Sequence, residues 1–113
     1  MERYPPSDED VVEPVNGVSI TPLVSGEQLS TQVFEIEPGA VVPEHDHHHE
    51  QAGVVYDGEL TFFVDGEALT IHAGESFFIP SDEPHAAENT GDTTVRGVDV
   101  FSPPRSSEYW QDR

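Results

Sequence analysis

From residue 17 onward no segment of the chain runs far before a turn residue interrupts it. Short runs rich in β-branched and aromatic side chains, namely VSITPLV, LSTQVFEI, AVV, AGVVY, ELTFFV, ALTI, SFFI, HAAENT and TTVRGVDVF, are separated by clusters of Gly, Pro, Asp and Ser. Such runs read as strands, and helical periodicity of any length is missing. Nine strands over residues 17–101 predict an all-β sandwich or small barrel, in which closure removes exposed sheet edges. Asp57-Gly58 and Asp65-Gly66 each lie between two runs, and Asp-Gly accepts the positive φ angles of a tight turn, so both predict hairpins. A barrel also offers a mouth in which a small ligand can bind.

At 113 residues there is room for one domain. Residues 1–16 carry Pro5, Pro6, Pro14 and a Ser-Asp-Glu-Asp run without hydrophobic period, which predicts an extended acidic arm before a barrel over 17–105 and a tail over 106–113. The 23 acidic residues face only 4 basic ones, for a net charge of -19, which repels nucleic acid and anionic membrane surfaces. All four cations are arginines, Arg3, Arg96, Arg105 and Arg113. So large an excess of one sign on a small body favours a saline setting, because molar salt shortens the Debye length to about 3 Å and screens self-repulsion. The acidic N-terminus does not resemble a signal peptide, and no apolar run approaches the roughly 20 residues of a membrane helix, so the expected compartment is the cytoplasm. Cysteine is absent, which confines any metal to His, Asp, Glu or amide ligands.

Four of the six histidines fall between 45 and 49. On a strand, His45 and His47 point to the same face, close enough for two imidazoles to share one ion. Gln51, at the start of the next run, and His85, after the turn IPSDEP, are the candidates to complete the set. His48, His49 and Glu50 fall in the connection between strands and read as solvent-exposed or as supporting residues, and His72 as a surface residue.

These positions resemble the two sequence motifs of the cupin superfamily. Gly39, His45, His47, position 51 and Gly58 match the first, with Gln51 where the pattern has Glu; Gly74, Pro80, His85 and Asn89 match the second, with Asp82 where the pattern has Gly. The resemblance implies a double-stranded β-helix, or jelly-roll, barrel that holds one divalent ion (zinc, nickel, manganese or iron) on His45, His47, Gln51 and His85, in a chain that forms a homodimer. A neutral Gln51 leaves the ion's double charge on the site, which suits Lewis-acid chemistry better than the iron(II) chemistry of oxygenases.

The run Gly97-Val98-Asp99-Val100-Phe101-Ser102-Pro103-Pro104-Arg105 is the other informative stretch. Alternation places Asp99 and Phe101 on one face, and the two prolines restrict where Arg105 can sit. By residues alone, Asp99 and Arg105 are equally an acid–base group with a carboxylate clamp and a structural ion pair. Asp-x-Phe-Ser-Pro-Pro-Arg after a His-x-His-x-His-Glu-Gln motif resembles the small cupins of pectin and alginate breakdown, which convert 4,5-unsaturated uronate monosaccharides to linear 5-keto-4-deoxyuronate. That resemblance implies an enzyme for a small anionic sugar with functional residues Asp99, Phe101 and Arg105. The alternatives are another metal-dependent cupin enzyme, such as a polyketide-type cyclase or a dioxygenase, and a non-catalytic metabolite-binding cupin.

Overall fold

The computed structural model describes residues 1–105. After a single 3-10 turn at Asp8–Asp10 come ten strands: β1 (Val12–Val15), β2 (Val18–Ser25), β3 (Ser30–Ile36), β4 (Val41–His45), β5 (Glu50–Asp57), β6 (Glu59–Val64), β7 (Glu67–His72), β8 (Ser76–Ile79), β9 (His85–Glu88) and β10 (Val95–Ser102). Every pairing among them is antiparallel. Six strands form one sheet in the order β1-β2-β3-β10-β5-β8, and four form a second in the order β4-β9-β6-β7. The all-β jelly-roll expectation is met, and all nine expected runs are strands. No helix among the described residues is long and apolar enough to cross a membrane.

Two expectations differ from what is found. The stretch expected as an extended arm contains β1, whose Val12 and Val15 pair with Ile20 and Val18 and pack against the core. A register shift between those two valines breaks the two-residue alternation, which is why no strand period shows in the sequence. The Asp65-Gly66 turn joins the paired strands β6 and β7 with φ of 51° and 76°, as a hairpin requires. Asp57-Gly58, in contrast, makes no hairpin: β5 belongs to the large sheet and β6 to the small one. Gly58, at φ 81°, turns the chain from one sheet to the other, and a Cβ there would lie 3.1 Å from Val95 Cα, where a side chain has no room. The tail expected over 106–113 lies outside the described residues.

The two sheets bury one continuous apolar core. Val18, Ile20, Phe34, Ile36, Val55, Ile79 and Val95 come from the large sheet, and Leu60, Phe62, Ile71 and Ala87 from the small one. Glycines at inward positions make space for rings: a Cβ on Gly97 would strike Phe34, and one on Gly53 would strike Phe77. Phe77 in turn packs at a tilt of 50° against Phe62 of the other sheet, with ring centroids 4.8 Å apart. Asn89, only 1% exposed, closes one end by donating 2.8 Å hydrogen bonds to the carbonyls of Ile36 and Thr93.

Candidate metal centre

The inward face of the large sheet changes character along each central strand. On β10 it reads Val95, Gly97, Asp99, Phe101; on β3, in reverse, Ile36, Phe34, Gln32, Ser30; on β5, Val55, Gly53, Gln51. The register aligns these series, with Asp99 opposite Gln32 and Gly53, and Phe101 opposite Ser30 and Gln51. One end of the barrel interior is therefore hydrocarbon and the other polar.

His45 ends β4 and His85 begins β9, and the two are paired across that ladder, so one register contact brings together residues forty positions apart in sequence. His47 enters from the loop after β4. One ligand-competent atom from each of these three rings lies within 4.8 Å of the other two. His45 Nδ1 donates to the Pro43 carbonyl at 2.9 Å, His47 Nδ1 to that of His49 at 3.0 Å, and His85 Nδ1 to that of Glu83 at 2.8 Å. A carbonyl only accepts, so the proton of each neutral ring sits on Nδ1 and each Nε2 carries the lone pair. Burial keeps the rings neutral: it is the largest influence lowering His45 and His47 to about 4, and His85 is lowered for the same reason.

Gln51 tests the fit to a cation. Its Nε2 donates to Asp99 Oδ1 at 3.0 Å, which leaves its Oε1 facing His47 Nε2 at 3.1 Å. With the His47 proton on Nδ1, two acceptors meet there, an arrangement that a shared cation satisfies and that neutral groups alone do not. Three neutral imidazoles and an amide oxygen fit a borderline divalent ion such as zinc or nickel.

The structure brings the remaining expected residues to the same end. Asp99, 5% exposed, has its second oxygen on Gln32 Nε2 at 3.0 Å. Desolvation pushes its pKa up to about 6, against the lowering effects of the two glutamine amides and Arg105. Asp99, Arg105, Gln32, Gln51, His45 and His85 line one cavity, whose far wall is the hydrocarbon of Phe34, Leu60 and Phe62. The backbone amide of Arg105 is anchored at 2.8 Å on Ser30 Oγ, and its guanidinium lies over the Phe101 ring, 4.7 Å from the centroid. Phe101 is 1% exposed and meets His47 edge-on at 5.8 Å. It supports the groups of the site from behind, since a ring so enclosed offers no face to a ligand.

Gln32 escaped the sequence reading as a site residue, and His49, read there as solvent-exposed or supporting, is buried beside the site. Gln32 is a polar side chain at an inward position of β3, but its partner Asp99 is 67 residues away. His49 shares the parity of His45 and His47 and is 3% exposed beside Phe101, with its pKa lowered to about 4 mainly by burial. His48 and Glu50 are exposed as expected. So is His72, which pairs with Glu59 at 3.3 Å on the surface.

Two facing antiparallel sheets with a histidine triad at one end define a jelly-roll barrel built around a candidate metal centre. Residues 32–101 match the Cupin domain family (Cupin_2), and the chain belongs to it. Among solved structures, KdgF from Halomonas sp. is 25% identical with a TM-score of 0.76, covering 88% of this chain and 89% of its own. An RmlC-like cupin from Shewanella frigidimarina NCIMB 400 is 30% identical with a TM-score of 0.77, over 87% of this chain and 86% of its own. The H2HPP isomerase of Bacillus subtilis is 30% identical over 67 residues, 59% of this chain and 28% of that protein. The HTH-type transcriptional regulator PuuR of Escherichia coli is 28% identical over 102 residues, 86% of this chain and 55% of that protein. The chain thus spans about a quarter to a half of the curated relatives it matches.

Proposed function

We propose that the chain is a metal-dependent enzyme that opens 4,5-unsaturated uronate monosaccharides to the linear 5-keto-4-deoxyuronate. The observation that carries this reading is the presence of Asp99 and Arg105 in one cavity with His45, His85 and Gln51. An acid–base group, an anion partner and a cation site at one mouth are what a carboxylated cyclic enol ether needs. The likeness to KdgF along nearly the whole of both chains and the Asp99-x-Phe101-Ser-Pro-Pro-Arg105 stretch support it.

His45, His47, His85 and Gln51 would hold one divalent ion. When bound, that ion supplies Lewis acidity toward the oxygens of the substrate. The protein's own groups supply the rest. Opening the ring removes the proton of the anomeric hydroxyl as the C1–O5 bond breaks, and C4 gains a proton as the enol becomes the ketone, so no net proton is consumed. Asp99, with a pKa raised into the range where either form is accessible, moves that proton. Arg105 pairs the substrate carboxylate, and its charge offsets the protein's net -19 locally. Phe101 holds the guanidinium in place by stacking beneath it rather than by walling the sugar.

The test is incubation of the zinc- or nickel-loaded protein with unsaturated galacturonate while following the loss of enol-ether absorbance. Steady turnover at about one metal per chain is the expected result. Saturable binding of the sugar without turnover would instead favour a non-catalytic metabolite-binding cupin; one relative, PuuR, is a transcriptional regulator.

The same proposal covers assembly as a homodimer. The outer face of β5, β8 and β10 presents Val54, Tyr56 and Phe78 exposed, with Ala52, Val98 and Val100 between them, and none of these is charged. On a chain of charge -19 that is where two like-charged copies approach with least repulsion. Light scattering should give twice the chain mass, and Phe78→Glu should give a monomer.

A further inference from the structure

We infer that Gln51 and Asp99 act as one unit in which the negative charge belongs one layer behind the metal ligands, so that Asp99 dictates an amide, and not a carboxylate, at position 51. The inference rests on the metal-binding reading of the site and explains its departure from the motif, which has Glu at this position. The geometry is reciprocal. Gln51 Nε2 donates to Asp99 Oδ1 at 3.0 Å, Gln32 Nε2 donates to Asp99 Oδ2 at 3.0 Å, and Gln51 Oε1 is thereby turned toward His47 Nε2 at 3.1 Å. All three side chains are buried, at 5% exposure for Gln32, 8% for Gln51 and 5% for Asp99, so few water contacts compete with these bonds.

An amide can face an ion with its oxygen and a carboxylate with its N–H at the same time. A glutamate cannot, since it only accepts when ionised. Gln51→Glu would therefore place two carboxylate oxygens at hydrogen-bonding distance with no proton between them. Asp99→Asn is the opposite failure. The oxygen of the new amide would stay on Gln32 Nε2, so its N–H would meet the N–H of Gln51. The Gln51 amide then turns over, and a donor replaces Oε1 beside His47. Exchanging the two groups repairs both faults: an asparagine at position 99 accepts from Gln32 and donates to a glutamate at position 51, and the pair keeps one negative charge and its volume. Gln51 is thus a ligand whose orientation is set by Asp99 as a positioning residue, in addition to any proton transfer at Asp99.

The test is a double-mutant cycle on Gln51→Glu, Asp99→Asn and the combined variant, with two readouts other than turnover. In competition of zinc against a chromophoric chelator, Asp99→Asn should weaken zinc binding about 10- to 100-fold, the usual effect of removing a partner of a ligand. The combined variant should bind at least as tightly as the wild type. In thermal unfolding of the metal-free proteins, Gln51→Glu should melt below the wild type, and adding Asp99→Asn should raise its melting temperature rather than lower it further. Unchanged zinc affinity in Asp99→Asn, or melting effects that merely add, would overturn the pairing. A wild-type protein that binds no zinc would overturn the metal reading alone, because the metal-free melting cycle still decides whether the two side chains are paired.

Discussion

The two ends of the barrel interior are built from the same three strands and do opposite work. At one end β3, β5 and β10 contribute Phe34, Ile36, Val55 and Val95, which pack against Leu60, Phe62 and Ile71 of the small sheet. At the other they contribute Gln32, Gln51 and Asp99, which meet His45, His47, His85 and Arg105. Burial of apolar side chains stabilises at about 25 cal/mol per Å², whereas a buried polar group at best offsets its own desolvation through its hydrogen bonds. Stability therefore comes from the hydrocarbon end, and the polar end is held in shape by strands whose pairing is secured elsewhere. The contrast shows how a small β protein can carry a cluster of polar side chains inside one mouth.

Four experiments break or sharpen this comparison. Phe34→Ala, at the hydrocarbon end, should cost about 3–5 kcal/mol as the cavity term adds to the lost transfer energy. For a domain of this size that lowers the melting temperature by roughly 12 °C or more, with a smaller loss of turnover per folded molecule because Phe34 forms only the far wall of the cavity. Asp99→Asn, at the polar end, should reverse the pattern. Turnover at saturating metal should fall about 100-fold or more, equivalent to about 2.7 kcal/mol of barrier, while the melting temperature moves far less than in Phe34→Ala. An Asp99→Asn protein with wild-type turnover would remove Asp99 from the mechanism. Arg105→Ala should raise the apparent Michaelis constant roughly 10- to 100-fold, as loss of a charge-assisted contact of about 1.5–3 kcal/mol requires, with a smaller change in turnover. Steady-state kinetics on both variants separate these roles. The smallest effect concerns neither end but the surface between them. With a net charge of -19, the melting temperature should rise by a few degrees from dilute buffer to molar potassium chloride, and a flat or falling trend would show that self-repulsion is unimportant.

Much of this was legible in the sequence, for reasons that differ by residue. The nine runs are strands because alternation and turn residues act within a few positions. His45, His47 and His85 were legible because motif spacing encodes their convergence, although the cross-strand pairing of His45 with His85 that produces it is long-range. What escaped was what register alone decides. Gln32 is an ordinary polar residue until the β3–β10 ladder sets it opposite Asp99. Asp57-Gly58 carries the local chemistry of a hairpin, yet which sheet receives β6 is settled by distant packing. Strand β1 was hidden by its own irregularity between Val12 and Val15.

The hydrogen bonds behind the three imidazoles have an evolutionary consequence. Each ring is oriented by the main-chain oxygen of a residue two positions away, at Pro43, His49 and Glu83. Every amino acid supplies that oxygen, so which ring nitrogen carries the proton does not depend on the side chains at these three positions. The ligand set is insulated from the sequence that flanks it, and selection can reshape the mouth of the barrel around an unchanged centre.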